Sequence, residues 1–186
     1  MRSPRNSAYP AMRSRTRSVS QPEQPPQLWQ DIVGTNMTGG FHVVNAAVPH
    51  LIAGGRGGVI VLTGSTADVR PVANPGIGAL AYTASKWGLV GMCKQLAATL
   101  AEHSIRVNIV HPTGVASGMT MNPAMAELAA QAAARNGGSL SAMPNAMPVQ
   151  ILQPGDISDA IAFLVSDQAR WITGVSLPVD AGFSVR

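Results

Sequence analysis

Apolar residues recur at helical spacing along the first ordered-looking stretch of the chain: Trp29, Ile32, Val33, Met37, Phe41, Val44, Val48 and Leu51. Gly34, Gly39 and Gly40 interrupt this stripe, so the pattern predicts a long, imperfect helix over about residues 28–53. After the break "GGRGG", the run "VIVLTG" is short, continuously apolar and rich in β-branched residues, which marks a strand covered on both faces. Residues 66–80, with Pro71 and Pro75, read as loop, and a helix follows in "AYTASKWGLVGMCKQLAATLAEHS" (81–104). "IRVNIVHP" predicts a second buried strand stopped by Pro112. A Met-, Ala- and Gly-rich stretch runs from Val115 to Leu152. "PGDISDAIAFLVSD" then predicts a helix with Asp156 at its N-cap, and "GVSLPVDAG" a last short strand. Strands alternating with helices predict an α/β fold, a parallel sheet with helices on its faces. No internal repeat is present.

Residues 1–27 have a different texture. They are rich in Arg, Ser, Pro and Gln and lack an apolar period that would offset chain ordering, so they read as a disordered tail before a domain at 28–186. Their Arg- and Ser-rich composition is shared with organelle transit peptides, but no apolar helical face accompanies it. The formal net charge of +4 is confined to residues 1–30, where Arg2, Arg5, Arg13, Arg15 and Arg17 face Glu23 alone; the remainder balances to zero. A neutral body with few aromatics supplies neither the basic stripe nor the stacking platform of a nucleic-acid binder. The one cysteine, Cys93, makes no internal disulfide, reads as a small buried helix residue and fits a reducing, cytoplasmic compartment. No run reaches the ~18 apolar residues of a membrane span.

Tyr82 and Lys86 lie four apart, and therefore on one face of their helix. A phenol is a poor base at neutral pH, but a nearby ammonium favours phenolate, so Tyr82 is a candidate acid/base group. The spacing alone also suits an ordinary surface pair. Ser65 adds weight because it stands just past the strand "VIVLTG", where open α/β sheets place their ligands. His111 has no second ligand at metal spacing and reads as structural. Five of the nine methionines fall between Met119 and Met147; they suit either a lipophilic pocket or packing of a mobile loop.

On "TNMTGGFHVVNAAVPHLI", "GGVIVLTGST", "YTASKWGLVG" and "RVNIVHPTGV", the chain from about Leu28 to Gly182 resembles the short-chain dehydrogenase/reductase family, a Rossmann-type fold. "HPTGVASGM", "NAMPV", "DISDAIAFLVSDQARWITGVSLPVDAG" and the step from Ser65 to Tyr82 look most like its mycofactocin-associated, carveol-dehydrogenase-like branch. The resemblance implies hydride transfer between NAD or NADP and a secondary alcohol or ketone, with a small hydrophobic substrate. Its implied catalytic set is Asn36, Ser65, Tyr82 and Lys86. Tyr82 would exchange the proton, Ser65 would position the substrate oxygen, Lys86 would depress the Tyr82 pKa and hold the nicotinamide ribose, and Asn36 would order a water beside Lys86. Pro112, Gly114, Val115 and Ser117 would face the carboxamide.

The resemblance also implies a departure. The family begins with a strand and a Gly-rich turn whose amides bind the cofactor pyrophosphate. No such motif occurs here, because "GGRGG" precedes a strand instead of following one. The expectation is therefore a partial domain lacking the first βαβ units, with weakened cofactor binding and an unpaired edge on the strand Val59–Leu62. Relatives associate through helices equivalent to residues 28–53 and 82–103, so homo- or hetero-oligomers are expected. A non-catalytic interaction subunit is the competing reading.

Overall fold

The computed structural model describes residues 25–70, 78–127, 130 and 145–186. Most of the expected tail, residues 1–24, the loop positions 71–77 and Met143 lie outside them. Three strands form one parallel sheet in the order β1-β2-β3, with β1 at Gly58–Thr63, β2 at Ile105–Pro112 and β3 at Ser176–Val179. Gly58 pairs with Ile105 and Thr63 with Val110; Ile109 pairs with Ser176 and Pro112 with Val179. β2 is central and its side chains are almost all buried. β1 and β3 are edges among the described residues, as expected for β1, and the edge position is what tolerates Pro178 in β3.

The helical segment predicted at 28–53 begins slightly earlier, at Pro26, and is not uniform. Helix α1 (Pro26–Val33) passes into a π turn at Gly34–Thr38 and then into α2 (Gly39–Gly54). Gly39 N–H donates to Gly34 O, the i to i+5 bond that accommodates one extra residue. Helix α3 spans Ala79–Leu100 and packs closely beside it. A Cβ on Gly88 would meet Met37 Sδ and one on Gly78 would stand 2.8 Å from Ile32 Cδ1, so glycine gives these two side chains room at α3 and its N-cap. Helix α4 spans Pro154–Val165. Its N-cap is Gln153; Asp156, expected at the cap, sits three residues in and accepts from Gln153 N–H at 2.7 Å, because Pro154 starts the helix one turn earlier.

Alternation along the strands divides the core into two layers. Leu62, Ile105, Val107 and Ile109 pack with Val44, Leu89, Cys93 and Ala97 under α2 and α3. Val110 packs with Leu152, Ile157 and Leu164 under α4. Cys93 is fully buried, burial pushes its thiol pKa up, and its Sγ approaches Val107 O at 3.6 Å, as expected of a small core residue.

Two polar residues of β2 bind the second layer together. Arg106 donates to Leu164 O at 2.7 Å and Ser166 O at 3.2 Å, satisfying carbonyls left open at the end of α4. Asn108, fully buried, donates to Ile172 O at 2.9 Å and accepts from Val175 N–H at 3.0 Å, which fixes the approach of the chain to β3. Asn108→Ala leaves Val175 N–H without its acceptor and Ile172 O with Arg106 Nη1 at 3.3 Å as its remaining donor. It is expected to lower the unfolding free energy by about 2–3 kcal/mol, read as a reduced urea midpoint at unchanged m-value.

Candidate active site

The carboxyl ends of β1 and β2, the first turns of α3 and the π turn converge. Ser65, one residue past Gly64 at the end of β1, caps a short 3-10 turn at Thr66–Asp68. Its Oγ accepts from Ala67 N–H at 3.2 Å, while its own N–H donates to Asp68 Oδ2 at 3.0 Å. The Ser65 side chain also lies close enough to the Tyr82 side chain to pull the phenol pKa down. Lys86, one turn along α3, places Nζ 5.6 Å from the Tyr82 ring centroid and donates to Thr63 O at 2.9 Å. Asn36 leaves the π turn and donates to Ser85 Oγ at 3.1 Å, and Ser85 donates to Tyr82 O at 2.7 Å. Ser65, Tyr82 and Lys86 thus share one place, with Asn36 tied to it through Ser85.

The expected direction of the Tyr82 shift is reversed. Burial raises its pKa above the ordinary 10.0; the Ser65 side chain pulls it down, and the Asp68 charge adds to the rise. Lys86 is lowered from its ordinary 10.5, by burial first, with Asp68 opposing. The enclosure that brings phenol and amine together disfavours the charged form of each.

Beneath these residues lies a contact that spacing did not reveal. Asp68 Oδ1 and His111 Nδ1 are 2.5 Å apart, and both side chains are fully buried. Neither atom has a well-angled hydrogen-bond partner, and His111 Nε2 has none either. No group of three or more metal-ligating side chains occurs among the described residues.

Past Pro112, Ala116 N–H donates to Leu152 O and Leu152 N–H donates to Gly114 O, each at 2.9 Å. In this parallel bridge the N–H and C=O of Val115 turn away from Leu152. Thr120 Oγ1 donates to Val115 O and accepts from Ser117 N–H, closing the loop that carries Ser117. Met119, Met121, Met125 and Met147 are 38–67% exposed, so these four line no enclosed pocket among the described residues.

A Tyr, an adjacent Lys and a Ser thus gather at the carboxyl ends of parallel strands, where open α/β sheets place their ligands. Comparison with known proteins agrees. A family model described as enoyl-(acyl carrier protein) reductase matches residues 15–184. An uncharacterized oxidoreductase of Mycobacterium tuberculosis is 44% identical over 83% of this chain and 56% of its own length. The (-)-trans-carveol dehydrogenase of Rhodococcus erythropolis is 39% identical over 87% of this chain and 58% of its own. Among solved structures, carveol dehydrogenase from Mycobacterium avium in complex with NAD superposes with a TM-score of 0.80 at 39% identity, covering 88% of this chain and 59% of that one. The chain belongs to the short-chain dehydrogenase/reductase family, and it spans a little over half the length of these relatives. No helix among the described residues is long and apolar enough to cross a membrane.

Proposed function

We propose that this chain carries the substrate- and nicotinamide-facing half of an alcohol dehydrogenase site. The supporting observation is the gathering of Ser65, Tyr82 and the Lys86 amine, whose Nζ is 5.6 Å from the Tyr82 ring centroid, at the carboxyl ends of β1 and β2. Tyr82 Oη holds the proton exchanged with the substrate oxygen, and Ser65 Oγ fixes that oxygen by a second hydrogen bond. The nicotinamide, when bound, supplies or accepts the hydride. Lys86, which donates to Thr63 O, would hold the ribose hydroxyls of a bound nicotinamide nucleotide, and Asn36 would support the site through Ser85. The outward Val115 N–H, flanked by Pro112, Gly114 and Ser117, suits the carboxamide, while the Val115 carbonyl is held by Thr120 Oγ1. The substrate class is a small hydrophobic secondary alcohol or ketone, as the names of the carveol-dehydrogenase relatives suggest. Membership of the mycofactocin-associated branch and a cytoplasmic setting belong to the same proposal.

The 186 residues include no Gly-rich turn following a strand, so the isolated chain is expected to bind NAD or NADP weakly. Titration of purified protein with NAD, followed by tryptophan fluorescence, tests this. Lys86→Met should weaken whatever binding is seen by about tenfold, the equivalent of one lost charge-assisted hydrogen bond. Saturable binding indifferent to this change would count against the reading.

A second reading, a non-catalytic interaction subunit, draws on exposed apolar side chains of the helices expected to pair: Trp29 at 41%, Phe41 at 48%, Val43 at 70% and Trp87 at 48%. Self-association without any NAD response would favour it.

A further inference from the structure

The turn after β1 contains an ionisable side chain with no role in the mechanism above. Asp68 is fully buried and uses its two oxygens differently: Oδ2 accepts from Ser65 N–H at 3.0 Å, and Oδ1 meets His111 Nδ1 at 2.5 Å. These partners belong to the ends of neighbouring strands. His111 immediately precedes Pro112, from which the loop to Ser117 departs, so one carboxylate joins the Ser65 turn to that loop. Both groups pack tightly against Gly64, where an added Cβ would collide with Asp68 Oδ2 and His111 Nδ1. A buried charge without full hydrogen bonding is expensive, and a smaller neutral capping residue would hold the turn at less cost.

We propose that Asp68, clamped between Ser65 and His111, is a positioning residue of the active site: it fixes Ser65 against Tyr82 and places a negative charge behind the Tyr82–Lys86 pair. The consequence for turnover rests on the dehydrogenase reading; the charge effect does not. The groups facing Tyr82 are Ser65 and Asp68 from the turn and Lys86 from its own helix. The π turn brings the neutral Asn36 to Ser85, and β2 contributes His111 through Asp68. The charge opposes phenolate and favours ammonium, so it holds the pair as phenol and ammonium, the forms needed to give a proton to a carbonyl oxygen.

The chain has two tyrosines, Tyr9 and Tyr82, so in a Tyr9→Phe background carbon-13 NMR of ring-labelled tyrosine reports Tyr82 alone. Asp68→Asn removes the charge and keeps an oxygen for Ser65 N–H; it is expected to lower the Tyr82 titration midpoint by about one pH unit. His111→Asn keeps the carboxylate and should leave the midpoint within a few tenths of the parent. An unmoved midpoint in Asp68→Asn, or an equal fall in His111→Asn, overturns the proposal. Asp68→Ser also removes the charge, and serves should Asp68→Asn not fold. Loss of folding in both neutral variants would show that the carboxylate is required by the fold alone, and overturns it equally. In turnover, Asp68→Asn should shift the alkaline rise of alcohol oxidation to lower pH by the same amount. A parent chain that binds NAD but never turns over would defeat the dehydrogenase reading, while the NMR midpoints still decide Asp68.

Discussion

Tyr82→Phe is expected to reduce alcohol oxidation at saturating NAD by about 10²–10⁴-fold, the usual contribution of a positioned proton-transfer group. The ring and its packing survive this change, and only the hydroxyl beside Ser65 is lost. The pH dependence makes the test specific. Oxidation requires Tyr82 to accept a proton, hence phenolate, and burial lifts its pKa above 10.0. The oxidation rate of the parent should therefore climb with pH through neutrality into the alkaline range. Carbonyl reduction requires the phenol, which prevails below that pKa, so reduction should stay flat over neutral pH. Tyr82→Phe should abolish the climb along with the rate, as read from initial velocities of nicotinamide reduction at several pH values. A residual rate near that of the parent, with the same climb, would show that another group moves the proton.

Gly64→Ala is expected to have the largest effect on stability, a loss of about 3 kcal/mol or more. The added methyl enters the space of Asp68 Oδ2 and His111 Nδ1, neither of which is the free end of a flexible exposed side chain. Overpacking alone costs about 1–3 kcal/mol. Forcing a buried carboxylate off its partner costs about 3–5 kcal/mol in comparable cases. Gly64 N–H also bonds Val110 O at 2.8 Å, so the backbone is poorly placed to yield. Against a total stability of about 5–15 kcal/mol, this removes a large share of the folded-state margin. Gly91→Ala is the matched control: a Cβ there meets nothing within 4 Å, and a helix-interior alanine is expected to stabilise by about 0.5–1 kcal/mol. Urea midpoints of the two variants should move in opposite directions.

Strand content was legible because it is local. Continuous β-branched runs ended by Gly64 and by Pro112 place β1 and β2 to within a residue, and the Tyr-Lys step lies within one turn of a single helix. The Asp68–His111 contact was not legible, since its partners are brought together only when β1 and β2 pair. Half of it did leave a local trace: Ser65 followed three residues later by Asp68 is a capping-box spacing, and it marks Asp68 as bound to the Ser65 backbone. The sign of the Tyr82 shift depended on enclosure, which no spacing reports. The displaced cap of α4 has a local cause, since Pro154 at the first turn leaves Asp156 inside the helix.

The extra residue between Gly34 and Thr38 gives the first long helical segment an angular offset. A residue inserted at 3.6 per turn rotates everything after it by about 100°. The side chains before and after it consequently belong to two separate stripes: Ile32 leans over Gly78 at the start of α3, whereas Val44 reaches the layer beneath the sheet. One rod can in this way serve two neighbours that no straight stripe would reach together. Asn36 emerges where the stripes change over, so its aim at Ser85 is a property of helix phase and would survive or fail with the insertion itself.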